Sequence, residues 1–294
     1  MSTFQQLLLA YAGTAVLYKG YIMGGLAAAV VAVIEDLIFA TETSQAIAAT
    51  LDTAKHVGTG VNSATKGYIM GGYTTAVIED LIFATETSQA IAATLDTAKY
   101  DGAGVNSATK GYIMGGYTGT ADVAVIEDLI FATETSQAIA ATLDTAKHAG
   151  TGVNSATKGY IMGGTAAIED LIFATETSQA IAATLDTAKS YGAGVNSATK
   201  GYIMGGYTTA VVAVIEDLIF ATETSQAIAA TLDTAKYAGT GVNSATKGYI
   251  MGGLAAAVVA VIEDLIFATE TSQAIAATLD TAKYGGAGVQ YGYV

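Results

Sequence analysis

One segment of 22 residues, IEDLIFATETSQAIAATLDTAK, occurs six times without change, beginning at Ile34, Ile78, Ile126, Ile168, Ile215 and Ile262. A second segment, KGYIMGG, also occurs six times, with its first glycine at residues 20, 67, 111, 159, 201 and 248. The period is about 47 residues, and repeats of that length stack into arrays that share one continuous core. Six such units account for nearly all of the 294 residues, so the expected division is a short N-terminal segment (1–12) and one repeat domain (13–294).

The differences between copies locate the loops. The stretch between the double glycine and the next invariant isoleucine holds eight, five, nine, three, eight and eight residues in chain order. A paired strand cannot vary in length this way without turning its side chains to the wrong face, so this stretch is a loop. The two residues after each repeat lysine vary in identity at constant length, as in His56-Val57 and Tyr100-Asp101.

In the second repeat, residues 67–70 are apolar and bounded by glycines, which reads as a strand. Residues 78–83 read as another, with Leu81 and Phe83 on one face and Ile82 on the other. Residues 85–88 form a polar turn. Residues 89–97 fit two patterns: their alanines favour a helix, whereas Ile91, Ala93 and Leu95 alternate as in a strand. Residues 104–107 make a further short strand, followed by a turn. Taking the ambiguous segment as extended gives four strands per unit, the content of a propeller blade. The expectation is therefore an all-β fold, a six-bladed β-propeller of four-stranded antiparallel blades, with a β or β/α solenoid as the alternative should residues 89–97 be helical.

The repeat also resembles the kelch motif. The double glycine Gly71-Gly72 after an apolar strand, the variable loop, the aromatic Phe83 and the basic Lys99 stand where kelch blades have them. Ala90 stands where the kelch pattern has tryptophan. The near-identical glycine-rich copies are similar to kelch-like repeats of cyanobacterial and tailed-phage fibre proteins. This resemblance implies a propeller with a binding or structural role, a place at a virion or cell surface (alternatively the cytoplasm), and either host attachment as a tail-fibre component or a cellular protein-interaction scaffold.

A propeller must close its ring. Six blades need six copies of the first strand, and the chain offers seven: five internal, one at residues 13–18 and one at residues 286–294. The C-terminal copy is expected to close the ring, leaving the N-terminal segment outside it. In a four-stranded up-and-down blade both variable regions then fall on one face, and the invariant turns on the other. The variable face would carry His56, Tyr73, Tyr100, Tyr117, His148, Tyr191, Tyr207, Tyr237 and Tyr284. These aromatics either bind a cell-surface glycan or a protein by apolar contact plus a hydroxyl, or are packing positions that have drifted.

Charge and composition exclude several functions. The chain has 26 acids, 12 lysines and no arginine, for a net charge of −14. Such a chain repels phosphate backbones and lacks the usual base-reading residue, so nucleic acid is not an expected partner. No apolar run approaches the roughly 18 residues of a membrane-spanning helix. The N-terminus has no basic residue before its leucines, which does not match a secretory signal. Cysteine is absent, which removes thiolate chemistry and the Cys–Tyr copper centre of kelch-type oxidases. Two histidines, no P-loop and no nucleophile–base grouping point to a protein that is not an enzyme and needs neither cofactor nor metal. The partners expected are other subunits of an assembly, including further copies of this chain. Glu79-Asp80 is expected to be ordinary polar strand-edge chemistry, its two side chains pointing to opposite faces. Asp96 and Lys99 are placed to form a surface pair. Glu86 and Lys110, repeated around the ring, could form a contact face or serve solubility.

Overall fold

A computed structural model describes residues 18–73 and 75–292. It is an all-β six-bladed propeller. The first strands in chain order are β1 (Lys19–Met23), β2 (Val33–Ile38) and β3 (Thr43–Thr50), followed by β4 (Thr59–Asn62), β5 (Lys66–Met70), β6 (Val77–Ile82) and β7 (Thr87–Thr94). The next blade is β8 to β11 (Ala103–Asn106, Lys110–Met114, Val125–Ile130, Thr135–Thr142). Then come β12 to β15 (Gly150–Asn154, Lys158–Gly163, Thr165–Ile172, Thr177–Thr184) and β16 to β19 (Ala193–Asn196, Lys200–Tyr207, Val211–Ile219, Thr224–Thr231). The chain ends with β20 to β23 (Thr240–Asn243, Lys247–Met251, Val261–Ile266, Thr271–Thr278) and β24 (Ala287–Tyr291).

Five blades are consecutive four-stranded meanders, and the sixth has the order β24-β1-β2-β3. There β24 runs antiparallel to β1, from Lys19 opposite Tyr291 to Met23 opposite Ala287. The C-terminal strand thus completes the blade that opens the chain. The spare strand expected at residues 13–18 falls, apart from Tyr18, outside the described residues.

The ambiguous segment is extended. Strand β7 lies outermost in its blade, pairing from Ile82–Thr87 to Val77–Thr94. Its outward residues are exposed while Ile91 and Ala93 are half-buried. Ala90, at the kelch tryptophan position, is exposed on this strand, and the large groups between blades come from elsewhere. Tyr21 stacks on Phe83 of the next blade with ring centroids 5.6 Å apart, and Tyr68 stacks on Phe131 in the same way. Each such pair adds about 0.5–1.5 kcal/mol beyond its burial. Both faces of β6 are covered, so Ile78, Glu79, Asp80 and Leu81 are all buried.

The two acids are therefore not strand-edge residues. Glu79 Oε1 lies 2.9 Å from Lys55 Nζ of the preceding blade, and its Oε2 accepts the Asp52 backbone N–H at 2.6 Å. Asp80 Oδ2 accepts Lys66 Nζ at 2.7 Å, and the same ammonium donates to Glu134 of the following blade at 2.6 Å. The Tyr68 hydroxyl also donates to Glu134. As expected for neighbours on a strand, the two carboxylates serve different partners. Lys99 pairs with Glu127 across the blade seam rather than with Asp96. Asp96 instead accepts the Ala138 backbone N–H. The Glu86 and Lys110 rings are also inter-blade latches: Glu86 takes Lys19 and Tyr21, and Lys110 takes Asp128 and Glu176. A surface pair contributes little because water competes for both charges. Lys55–Glu79 and Lys99–Glu127 are buried in the seams away from that competition, whereas the Lys66–Glu134 and Lys19–Glu86 latches stay partly exposed.

All twelve lysines are held in such pairs. Burial works against the Lys66 charge, but its two carboxylates override it and hold the ammonium above the ordinary lysine range. At Lys99, burial wins over Glu127 and, more weakly, Asp96, and pulls the value down.

The inner strands crowd the axis. A Cβ on Gly104 would fall inside contact distance of the Gly60 carbonyl on the neighbouring blade, so this position needs glycine. The double glycine ending β5 has a different cause: Gly71 and Gly72 take φ of 64° and 130°, which turn the chain out of the strand.

Candidate functional site

The loops divide as the meander requires. The turns joining β4 to β5 and β6 to β7 lie on one face and are invariant. The length-variable loop after β5 and the residues after Lys99 lie on the other.

At the centre of the variable face, six residues contributed one per blade form a closed ring. Val57, Asp101, Ala149, Tyr191, Ala238 and Gly285 all adopt left-handed φ, between 51° and 62°. Each backbone N–H donates to the carbonyl of the ring residue on the preceding blade, at 2.6 to 2.9 Å. A β-branched residue such as Val57 is strained in this conformation, while Asp101 tolerates it better. The hydrogen-bonded circle holds all six there. It frames a cavity of about 110 Å³ at the mouth of the axis.

Deeper, the inner strands enclose a channel cavity of about 160 Å³, lined by glycines, Thr59, Ala103 and asparagines. At its far end the side-chain carboxamides are oriented by the neighbouring blade. Asn196 N–H donates to Asn243 Oδ1 at 3.2 Å, and Asn243 N–H to Gln290 Oε1 at 2.9 Å.

Around the mouth the aromatic side chains make an unbroken series. Ring centroids are 5.3 Å apart for His56–Tyr73, 5.2 Å for Tyr73–Tyr100, 5.5 Å for Tyr100–Tyr117 and 5.4 Å for Tyr117–His148. The series continues through His148–Tyr191 at 6.4 Å, Tyr191–Tyr237 at 6.1 Å and Tyr237–Tyr207 at 5.5 Å. Eight of the nine aromatics expected on this face thus form one arc. Tyr284 makes no ring contact in it; its backbone pairs with Leu26. Its phenol nevertheless lies near Tyr237, whose pKa is raised by burial and then by Tyr284 and Tyr207. Tyr73 and Tyr207 are exposed, and the others are half-buried.

Two acids of this face stand outside the repeated framework. Asp122, from the longest loop, holds His148 Nδ1 at 2.8 Å. Asp101 is the one charged member of the axial ring. Burial pushes its carboxyl up to about 6, with His148 acting in the opposite direction. Burial likewise lowers the pKa of His56, and pushes Tyr191 up to about 12 with Asp101 adding to it. The position of Asp101 in the sequence carried no special signal; its role in the ring appears once six separate loops meet at the axis. Among the described residues, no group of three or more His, Cys, Asp or Glu side chains is placed to hold a metal ion, and no helix is long and apolar enough to cross a membrane.

The raised value at Asp101 makes a stability prediction. A carboxyl whose folded pKa exceeds its unfolded one favours folding when protonated and opposes it when ionised. The Asp101 contribution is thus fully present below about pH 4 and is lost as pH rises through about 6. Asp101→Asn, which keeps the left-handed backbone, is expected to stabilise the protein at pH 7.5 by about 1–3 kcal/mol. Denaturant unfolding at pH 7.5, 5 and 4 should show the gain shrinking to nothing. A gain that is constant with pH would contradict an ionised, poorly solvated carboxylate.

Neither the protein-family models nor the curated protein sequences give a match to this chain.

Proposed function

We propose that this chain is a non-enzymatic binding propeller that engages a cell-surface glycan or protein through the aromatic arc of its variable face. One observation carries this reading: eight aromatic rings lie in continuous contact on the face where the loops differ. Such an arc offers broad apolar area with phenolic hydroxyls at low conformational cost, the composition that binding surfaces favour. The repeated lysines and acids are committed to joining blades.

Within this reading the chain is a structural component of an attachment assembly, such as a phage tail fibre at the virion surface. The likeness of its near-identical repeats to those of fibre proteins supports this. A cellular, kelch-type interaction scaffold in the cytoplasm is the second reading, supported by the double-glycine blade pattern. Light scattering separates them, because a fibre component is expected as a defined homo-oligomer and a scaffold as a monomer. A glycan array tests the binding face itself. Signal is expected from the native protein and at least about a tenfold loss when Tyr100, Tyr191 and Tyr237 become alanine. An unchanged array pattern in that variant would remove the arc as the binding face.

A further inference from the structure

We propose that the axial mouth of the variable face binds an ammonium head group, held by the Asp101 carboxylate beside the ring of Tyr191. This deepens the binding reading of that face and rests on it.

The mouth cavity of about 110 Å³ has two side chains with polar chemistry on its rim, Asp101 and Tyr191; its other lining residues are alanine, valine and glycine. Asp101 is distinguished by what surrounds it. Each repeat's four acids are engaged: three bind lysines, as Glu79, Asp80 and Glu86 do, and the Asp52 type accepts a backbone N–H. All twelve lysines are committed to those acids. Of the two acids left over, Asp122 has His148 as its partner. The Asp101 carboxylate accepts no hydrogen bond among the described residues, although its backbone N–H and carbonyl are both used in the axial ring. The chain has placed a carboxylate in a narrow mouth and given it no counter-charge of its own beyond the shared His148.

The neighbours of Asp101 choose the sign of the ligand. Tyr191 lies within electrostatic reach of this carboxylate, which raises its phenol pKa after burial does; at Tyr100, burial, Tyr73 and Tyr117 act before Asp101. Aromatic faces attract cations, and an anion would be repelled by Asp101. A metal ion finds no third ligand here. An ammonium group needs one carboxylate and an aromatic ring, and Asp101 and Tyr191 line the mouth together. The net charge of −14 draws cations toward the molecule. At a water's share of liquid volume, about 30 Å³, the cavity of about 110 Å³ has room for roughly four waters, enough for a small head group and too little for an oligosaccharide. The rest of the ligand would lie along the aromatic arc.

The ammonium could be a quaternary head, as in choline, or the primary amine of an amino sugar. Isothermal titration at low salt with choline, glucosamine, N-acetylglucosamine and glucose tests the site and separates these sources. Saturable binding of one or both amines is expected, with none of the neutral sugars bound. Choline alone would assign a quaternary head, and glucosamine a primary amine. Asp101→Asn is expected to weaken amine binding by at least about tenfold, and Tyr191→Ala by about threefold or more. Alanine already stands at this ring position in Ala149 and Ala238, so the ring accommodates it. Failure of the native protein to bind either amine, or equal binding by Asp101→Asn, would overturn the ammonium site. If the arc variant still abolishes array signal in that case, the binding face stands without this ligand. If amines bind as expected while the arc variant leaves the array unchanged, the mouth stands and the wider arc falls.

Discussion

Truncation after Lys283 is expected to abolish the cooperative unfolding of the propeller. The deleted stretch contains β24, which pairs with β1 over five positions and supplies the inner strand of the first blade. It also carries Ala287 and Val289, buried in a cluster with Tyr21, Ile34, Ile69 and Leu81. Val289 fills the space against Gly67 that a side chain there would occupy. Gly285 supplies one link on each side of the axial ring, accepting from Val57 and donating to Ala238. Loss of this strand opens a β-edge at the axis and uncovers the seams on both sides, so the loss is on the order of the whole 5–15 kcal/mol that holds a domain folded. Circular dichroism melts should show no sharp transition in the truncated chain. Adding a peptide of residues 284–294 in trans should restore one. A truncated chain that melts like the full one would refute closure through β24.

Lys99→Met is expected to cost about 3–5 kcal/mol, because it leaves the Glu127 carboxylate buried without its cation. Glu127 Oε1 sits 2.9 Å from Lys99 Nζ, and both residues are buried. The double change Lys99→Met with Glu127→Gln is expected to recover most of that loss. The amide keeps an acceptor for the Asp96 backbone N–H, which now donates to Glu127 Oε2 at 2.7 Å. Urea unfolding midpoints of the single and double variants decide the matter. Costs that simply add would mean the pair does not act as a unit, and a single-variant cost below about 1 kcal/mol would place it with surface pairs.

Much of the architecture was legible before the fold. The sixfold period, the loops marked by variable length and the Gly71-Gly72 break all lead to a ring of four-stranded blades. So does the grouping of the aromatics on one face, since alternating connections in a meander leave no other placement. The charged residues were not legible. Glu79, Asp80, Lys99 and Glu86 look alike in one dimension whether they face solvent or a neighbouring blade. Strand β6 carries two adjacent acids where a buried strand would be expected to be apolar, and that pattern hides the burial. Their partners lie in other repeats, at separations such as the 68 residues between Lys66 and Glu134, and a repeat read in isolation cannot point to them.

The sequence by itself determined the unit and its number, because repetition at a fixed period leaves few ways to bury a common core. It also determined where variation is tolerated, because strand register forbids length changes elsewhere. Tertiary structure alone decided that residues 89–97 are extended: with Ile91 and Ala93 turned inward on an outer strand, pairing with β6 outweighs the helical preference of the alanines. It alone turned the repeated acids and lysines into seams between blades. It alone brought Asp101 and Tyr191, from separate short loops, to the rim of one axial cavity, because the ring of blades gathers one loop from each repeat around the axis.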